Sequence, residues 1–163
     1  MVEESLMKIA VFPGSFDPIT VGHESVINRA LALFDKIIIA VGVNSSKNNM
    51  FTIEERIEFI EDTFSTENKI QVVNYEGLTV DFCKKNNAKF ILRGLRTAAD
   101  FEFERSIGQV NTIMDSSIET IFLLTSAAHA PIASSVVRDI IKNRGDITDL
   151  VPKAIEKYFK KLK

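Results

Sequence analysis

Hydrophobic residues form short runs along the chain, and between these runs they recur with helical spacing. The runs are rich in Ile, Val and Phe and are mostly continuous, which is typical of strands that are covered on both faces. They predict strands over residues 8–12, 36–43, 70–74, 90–92 and 120–124. The intervening segments predict helices over residues 22–33, 53–64, 80–85, 98–114, 135–143 and 152–162.

This alternation of strands and helices predicts an α/β fold class, with a doubly wound, five-stranded parallel sheet and right-handed crossovers. The 163 residues show no repeat or linker, so we expect a single domain over residues 7–163, preceded by an acidic N-terminal extension over residues 1–6. Ligands of such sheets bind beyond the carboxyl ends of the strands. The polar clusters that follow the strands should therefore share one edge of the sheet: residues 14–23, 44–49, 76–79, 93–97 and 125–135.

Charge and composition exclude several classes of protein. Lys and Arg number 20 against 22 Asp and Glu, whereas a nucleic-acid-binding protein usually has a basic excess. No apolar run is long enough to span a membrane, and no secretory signal is visible. The single cysteine, Cys83, cannot form an intramolecular disulfide, which suits a reducing compartment. We expect a cytoplasmic protein that binds neither nucleic acid nor membranes.

The segment after the first strand, residues 12–23, carries the strongest candidate chemistry. It predicts a glycine turn and a loop, followed by a helix with His23 in its first turn. The N-terminus of a helix has unpaired N–H groups and a partial positive charge, which favour a phosphate. Gly22 would let an anion approach the backbone, and His23 adds a donor that can carry positive charge. The alternative is that His23 only caps or packs the helix, and the spacing alone leaves both open.

No P-loop, dinucleotide-binding glycine motif, metal-ligand spacing or nucleophile elbow occurs in the chain. What remains is a set of cations and hydroxyls that suits the binding of phosphates: Ser15, His23, Lys47, Arg93, Arg96, Ser134, Ser135 and Arg138. Arg93 and Arg96 flank a glycine and could each grip a phosphate in bidentate fashion. The alternative for this pair is salt bridges with Asp100 or Glu104. Lys47 lies among turn-forming residues, where a bridging charge and a solvated lysine are equally open.

Two motifs resemble those of a known family. Residues 20–23, Thr-Val-Gly-His, resemble the Thr/His-x-Gly-His signature of the nucleotidyltransferase superfamily. The longer string over residues 13–23 and the Arg-Gly-Leu-Arg of residues 93–96, with Asp-Phe-Glu at 100–102, resemble the bacterial phosphopantetheine adenylyltransferases. The resemblance implies a Rossmann-like nucleotidyltransferase fold and transfer of the adenylyl group of ATP to 4′-phosphopantetheine. It further implies a step of coenzyme A biosynthesis that yields dephospho-CoA and pyrophosphate, Mg²⁺ bound through the ATP phosphates, and a homohexamer.

The resemblance also implies roles for particular residues. His23, Lys47 and Arg93 would be catalytic. The acceptor would contact Ser15, Lys47, Thr79 and Arg93, although Thr79 could instead only cap a helix. ATP would contact Ser15, Phe16, His23, Gly94, Leu95, Arg96, Glu104, His129, Ala130, Pro131, Ile132, Ala133, Ser134 and Ser135. The segment 126–135 departs most from the family, which usually has an aromatic residue where His129 stands, a phenylalanine where Pro131 stands and a serine where Ala133 stands.

The resemblance also fixes what chemistry the site needs. A phosphate monoester is mostly a dianion at neutral pH, so the acceptor needs no general base. Two rival functions remain open at this stage. One is a nicotinate-mononucleotide adenylyltransferase or cytidylyltransferase, which shares the first motif. The other is a non-catalytic nucleotide-binding or flavodoxin-like module.

Overall fold

The computed structural model describes residues 7–43 and 48–160. Its sheet has five parallel strands in the order β3-β2-β1-β4-β5, which confirms the predicted fold class. The strands lie within a few residues of their predicted positions: β1 Ile9–Gly14, β2 Lys36–Gly42, β3 Ile70–Tyr75, β4 Phe90–Leu95 and β5 Glu119–Leu124.

Helices connect the strands and cover both faces of the sheet. They are α1 Val21–Ala30, α2 Ile53–Thr63, α3 Thr79–Lys85, α4 Ala98–Met114 and α5 Ser134–Lys142. The helix predicted over residues 152–162 is, as far as residue 160, a 3-10 turn over Lys153–Ile155 that leads into a short helix α6, Glu156–Phe159, rather than one α-helix; its last two residues lie outside the described ranges. Ile155, with φ −105° and ψ −4°, is the N-cap of α6 and the last residue of the 3-10 turn. No helix of the described ranges is both long and apolar enough to cross a bilayer.

The three inner strands carry the core, as their continuous apolar runs predict. Ile37 and Ile39 of β2 pack with helices α1 and α2 on one face, while Ile38 packs with α3 on the other. The two edge strands are only half covered, and the residues of β3 include the exposed Gln71 and Asn74. An edge strand has one open side, so complete coverage was too strong an expectation for β3 and β5.

The sheet opens between β1 and β4. These strands pair only through Ala10 with Phe90 and Val11 with Ile91, and beyond Val11 their carboxyl ends are not paired. The strand order reverses direction here, because β1 is followed by β2 on one side and β4 lies on the other. A crevice at such a switch point is where open α/β sheets bind their ligands.

Candidate active site

Two adjoining cavities occupy the crevice and the neighbouring strand ends. One, of about 380 Å³, lies between the ends of β1 and β4 and the first turns of α1 and α5. The other, of about 540 Å³, extends from the same strands to the ends of β2 and β3 and to α4. We refer to them as the crevice cavity and the lateral cavity. Both are lined by Pro13, Gly14, Ser15, Arg93 and Glu104, which form their common wall.

His23 lines the crevice cavity from the first turn of α1, where Thr20 is the N-cap. The backbone N–H of Thr20 donates to Nδ1 of His23 over 3.1 Å, and the N–H of His23 donates to the Thr20 hydroxyl. Because an amide N–H can only donate, Nδ1 must be the acceptor and the proton of the neutral ring sits on Nε2. His23 therefore does cap the helix, as the alternative interpretation had it, and it still faces the cavity with its second nitrogen available as a donor.

The imidazole of His23 is neutral at physiological pH. Burial, followed by the charges of Arg96 and Arg93, lowers its pKa from 6.5 to about 4. His23 therefore offers a neutral N–H donor rather than the positive charge that it could carry, chiefly because the ring is buried and, to a lesser extent, because two arginines lie nearby. The ring of Phe16 meets the imidazole edge-on, with centroids 5.2 Å apart, and helps to hold its orientation.

Both arginines of the fourth strand's motif are paired. Arg93 grips Glu104 with two N–H groups, Nε to Oε2 at 2.8 Å and Nη2 to Oε1, and its Nη1 donates to the carbonyl of Pro13. Arg96 pairs with Asp100, Nε to Oδ2 at 3.1 Å. The salt-bridge alternative is therefore confirmed, but these hydrogen bonds do not use all the N–H groups of Arg93. A guanidinium has about five N–H groups, so Arg93 keeps donors for an anion in the common wall.

Side chains from other elements bind backbone carbonyl groups at the end of β1 and in the loop between β1 and α1. Four side chains donate to these carbonyls: Arg93 to Pro13, Arg56 to Ser15, Arg138 to Asp17 and Ser134 to Pro18. A glycine is needed at position 14, the last residue of β1, because the ring of Phe16 lies 2.9 Å from where a Cβ would be. Phe16 itself adopts φ 47°, in the left-handed region.

Two residues of this network had no role in the predicted site. Asp17 is 3% exposed, and its two carboxylate oxygens accept from the backbone N–H groups of Met50 and Phe51, each at 2.9 Å. Arg56, also 3% exposed, donates from Nη1 to the Ser15 carbonyl over 2.7 Å. Asp17 lies inside the first motif, so its sequence position was the available signal. For Arg56 the sequence gives no comparable signal, since charged residues on helices are usually exposed.

The N-terminus of α5 forms a further wall of the crevice cavity, which Ile132, Ala133, Ser134 and Ser135 line. Its N-cap is Ala133, and no side chain caps the first turn. The Ser134 hydroxyl donates to Pro18 O and so serves the loop. The N–H groups of this turn are therefore left to water or to an anion. Three other predicted contacts, His129, Ala130 and Pro131, are not among the lining residues.

The remaining predicted residues fall at different places. Gly94 and Arg96 line the crevice cavity, whereas Leu95 has its side chain in the core, 5% exposed. Thr79 lines the lateral cavity, and its hydroxyl is 3.0 Å from that of Tyr75. The N-cap of α3 is Leu78, so the capping alternative for Thr79 is wrong. Lys47 lies outside the described residues.

Comparison with known proteins places the chain in a family. A family model described as cytidylyltransferase-like matches residues 11–140. A phosphopantetheine adenylyltransferase of Flavobacterium psychrophilum is 56% identical over 149 residues, which cover 91% of this chain and 98% of the relative. One of Christiangramia forsetii is 56% identical over 151 residues, covering 93% of this chain and 99% of the relative.

The fold also matches a solved structure. That structure is described as a nicotinate-nucleotide adenylyltransferase from Vibrio parahaemolyticus. It aligns with this chain with a TM-score of 0.70, and the alignment covers 94% of each chain. The sequences are only 17% identical, so this likeness concerns the fold alone.

Proposed function

The chain belongs to the phosphopantetheine adenylyltransferase family, and on that premise we propose that it transfers the adenylyl group of ATP to 4′-phosphopantetheine. The products are dephospho-CoA and pyrophosphate, which places the reaction in coenzyme A biosynthesis. The observation that carries the proposal is the pair of adjoining cavities with a common wall containing Arg93. A reaction between two phosphates needs two such spaces that meet at one cationic point.

ATP fits the crevice cavity, where its phosphates would meet the first turns of α1 and α5. The first turn of α5 has no side-chain cap, whereas in α1 the Val21 N–H donates to Leu150 and the His23 N–H to Thr20, so that Gly22 supplies the N–H for an anion. Both helix starts carry a partial positive charge, and His23, Gly94 and Arg96 line the cavity. The acceptor fits the lateral cavity, with its phosphate at Arg93 and its arm towards Thr79. For Lys47, Leu95 and residues 129–131, the contacts implied by family resemblance stay predictions.

The chemistry is positioning and charge stabilisation. The acceptor phosphate is already a dianion and attacks the α-phosphorus without a base, while pyrophosphate leaves on the opposite side. Charge builds up on the α-phosphate oxygens, and the Nε2–H of neutral His23 can donate to one of them. A fixed donor of this kind needs no proton transfer, because its role is to stabilise charge in place. Arg93 holds the attacking phosphate in line.

Mg²⁺ would be held by the ATP phosphates rather than by protein ligands. The three carboxylates at the crevice cavity already have partners: Asp17 accepts from backbone N–H groups, Asp100 pairs with Arg96, and Glu104 pairs with Arg93. Groups of three or more potential metal ligands are absent from residues 7–43 and 48–160. The ion would neutralise charge on the leaving pyrophosphate.

We propose a homohexamer in which α4 contributes a contact between copies of this chain. One side of α4 exposes large apolar side chains, among them Phe103 (67%), Val110 (53%) and Ile113 (83%). Its only buried residue is Gly108. An apolar helix face of this kind marks an interaction surface. We also propose a cytoplasmic location, where ATP is available and where the lone cysteine, Cys83, stays reduced.

One assay tests the activity. The purified protein is incubated with ATP, Mg²⁺ and, separately, 4′-phosphopantetheine, nicotinate mononucleotide or no acceptor, with CTP replacing ATP in a parallel series. Mass spectrometry identifies the products. We expect dephospho-CoA and pyrophosphate only with ATP and 4′-phosphopantetheine. A different nucleotidyl product would indicate a different transferase, and the absence of any product would contradict catalysis.

A further inference from the structure

Arg56 reaches the site through a single peptide group. Its Nη1 donates to the carbonyl of Ser15 over 2.7 Å. That carbonyl shares a peptide plane with the N–H of Phe16, and in a trans peptide the two groups point in opposite directions. The only cis bond of the described chain is Asp17–Pro18, so the Ser15–Phe16 peptide is trans. The hydrogen bond from Arg56 therefore fixes where the Phe16 N–H points.

The Phe16 N–H has no acceptor within residues 7–43 and 48–160, so it can serve an anion. None of the hydrogen bonds between described residues uses it as a donor. Ser15 and Phe16 both line the crevice cavity, whereas Arg56 does not. Arg56 thus lies on the far side of the peptide group from the cavity. An N–H donor held in this way resembles the preorganised donors of an oxyanion hole.

The position of Arg56 is itself fixed from two directions. Its Nε donates to the carbonyl of Thr52, the N-cap of α2. Burial lowers its pKa, while the charges of Asp17 and Glu54 raise it, and a guanidinium remains charged in either case. The carboxylate of Asp17 in turn binds the N–H groups of Met50 and Phe51, directly before that N-cap. The loop after β1 and the start of α2 therefore hold each other by side chains from both sides.

We propose that Arg56 is a positioning residue that orients and polarises the Phe16 N–H for a nucleotide phosphate. Two effects combine. The hydrogen bond holds the peptide in the orientation that gives Phe16 its φ of 47°, which a non-glycine residue adopts only under constraint. The buried positive charge draws electron density from the Ser15 carbonyl, which makes the N–H on the other side a stronger donor. The role of the site in nucleotide transfer rests on the proposed function, but the binding of a phosphate can be measured without it.

The test compares Arg56→Lys, Arg56→Gln and Arg56→Met with wild type. Titration with ATP is followed by ¹H–¹⁵N NMR at the Phe16 amide and by calorimetry. In wild type we expect a downfield shift of the Phe16 amide proton. In Arg56→Met the shift is lost and ATP binds about tenfold more weakly or worse, as after loss of a charged hydrogen bond. Arg56→Lys keeps the charge and should retain part of both effects, and Arg56→Gln should retain less.

A matched control separates positioning from general destabilisation. Ile60→Ala lies one turn further along α2, in the core and away from both cavities. It should lower the stability of the same helix and leave the Phe16 shift and the KM for ATP unchanged. The Arg56 variants should raise the KM for ATP more than that for 4′-phosphopantetheine. If Arg56→Met is too unstable to study, the Lys and Gln variants and the shift of the wild-type Phe16 amide still test the positioning role.

The outcomes are distinct. An unchanged Phe16 shift and ATP affinity in stable Arg56→Gln or Arg56→Lys, or a wild-type Phe16 amide that does not respond to ATP, overturns the positioning role. A wild-type protein that binds ATP at Phe16 but forms no dephospho-CoA overturns the proposed reaction and leaves the positioning role standing.

Discussion

Thr20 and His23 cap the first helix reciprocally, and this contact sets the chemistry of the histidine. The Thr20 N–H holds Nδ1 at 3.1 Å, so the ring presents Nε2–H to the crevice cavity. The same contact fixes the tautomer and the direction of the donor. One nitrogen of the ring caps the helix, and the other is the donor that the proposed mechanism uses.

Removal of the imidazole should abolish most turnover. We expect His23→Ala to lower kcat by about 10²–10³, the usual cost of losing one preorganised donor to a transition-state oxyanion. ATP should still bind, because the helix termini remain. Steady-state kinetics and calorimetry measure the two effects separately. Near-normal kcat in the purified variant would remove His23 from the mechanism.

The stability of the protein should fall as pH drops through the range set by His23. Its pKa is about 4 in the folded protein against 6.5 in the unfolded chain. Between these values the unfolded chain binds the proton and the native state does not, so the free energy of unfolding decreases as pH falls. Urea denaturation of wild type and His23→Asn between pH 7 and pH 4 measures this. The stability of wild type should decline more steeply than that of the variant, and parallel curves would contradict the low pKa.

The carboxylate of Asp17 should be a stability determinant although it lies in the site motif. Asp17→Asn replaces one of two acceptors with an NH₂ group that faces a backbone N–H donor. We expect a loss of about 1–3 kcal/mol in the free energy of unfolding, as for a buried unsatisfied donor. The matched control is Asp35→Asn, an exposed aspartate that accepts from the Lys8 N–H, where we expect less than about 0.5 kcal/mol. Equal losses in both variants would contradict the buried role.

Arg93 should act mainly on the acceptor. Arg93→Lys keeps a charge but loses the planar fork that holds both Glu104 and the Pro13 carbonyl. We expect the KM for 4′-phosphopantetheine to rise about tenfold or more, with a smaller change in the KM for ATP. Arg105→Lys is the control, because Arg105 pairs with Glu102 on the surface of the same region. A larger rise in the KM for ATP than in that for 4′-phosphopantetheine would indicate that Arg93 binds the nucleotide instead.

A charge on the exposed face of α4 should disrupt the proposed hexamer. Ile113→Asp places a carboxylate on a side chain that is 83% exposed, so the isolated subunit should keep its fold. Light scattering after size-exclusion chromatography should report a smaller species than wild type, with unchanged circular dichroism. Leu33→Asp, at a 51% exposed leucine outside α4, should leave the assembly intact. An unchanged mass for Ile113→Asp would place the subunit contacts elsewhere.

Periodicity located the strands and the helix starts because these depend on neighbours in sequence. The start of α1 at Val21, next to the predicted Gly22, is an example. The alternation of side chains along a strand also bears on Leu95. Successive strand residues point to opposite faces, so Gly94 and Leu95 cannot both face the cavity, and a ligand contact should have been predicted for only one of them.

Other features depend on contacts between distant parts of the chain. The pKa of His23 is set by burial and by Arg93 and Arg96, some 70 residues away in sequence. The sequence allows either salt bridges or phosphate binding for Arg93, and the structure shows that Arg93 pairs with Glu104 and also lines the cavity. The role of Arg56 could not be predicted from the sequence, because its partner is a backbone carbonyl and every residue type has one.

The wall common to the two cavities has a consequence for the end of the catalytic cycle. A molecule that occupies both spaces at once loses its translational and rotational freedom a single time, whereas two separate reactants lose theirs twice. Dephospho-CoA is such a molecule, since it joins the occupant of one cavity to that of the other. We therefore expect the newly formed compound to depart slowly, so that its escape, rather than bond formation, limits the overall rate.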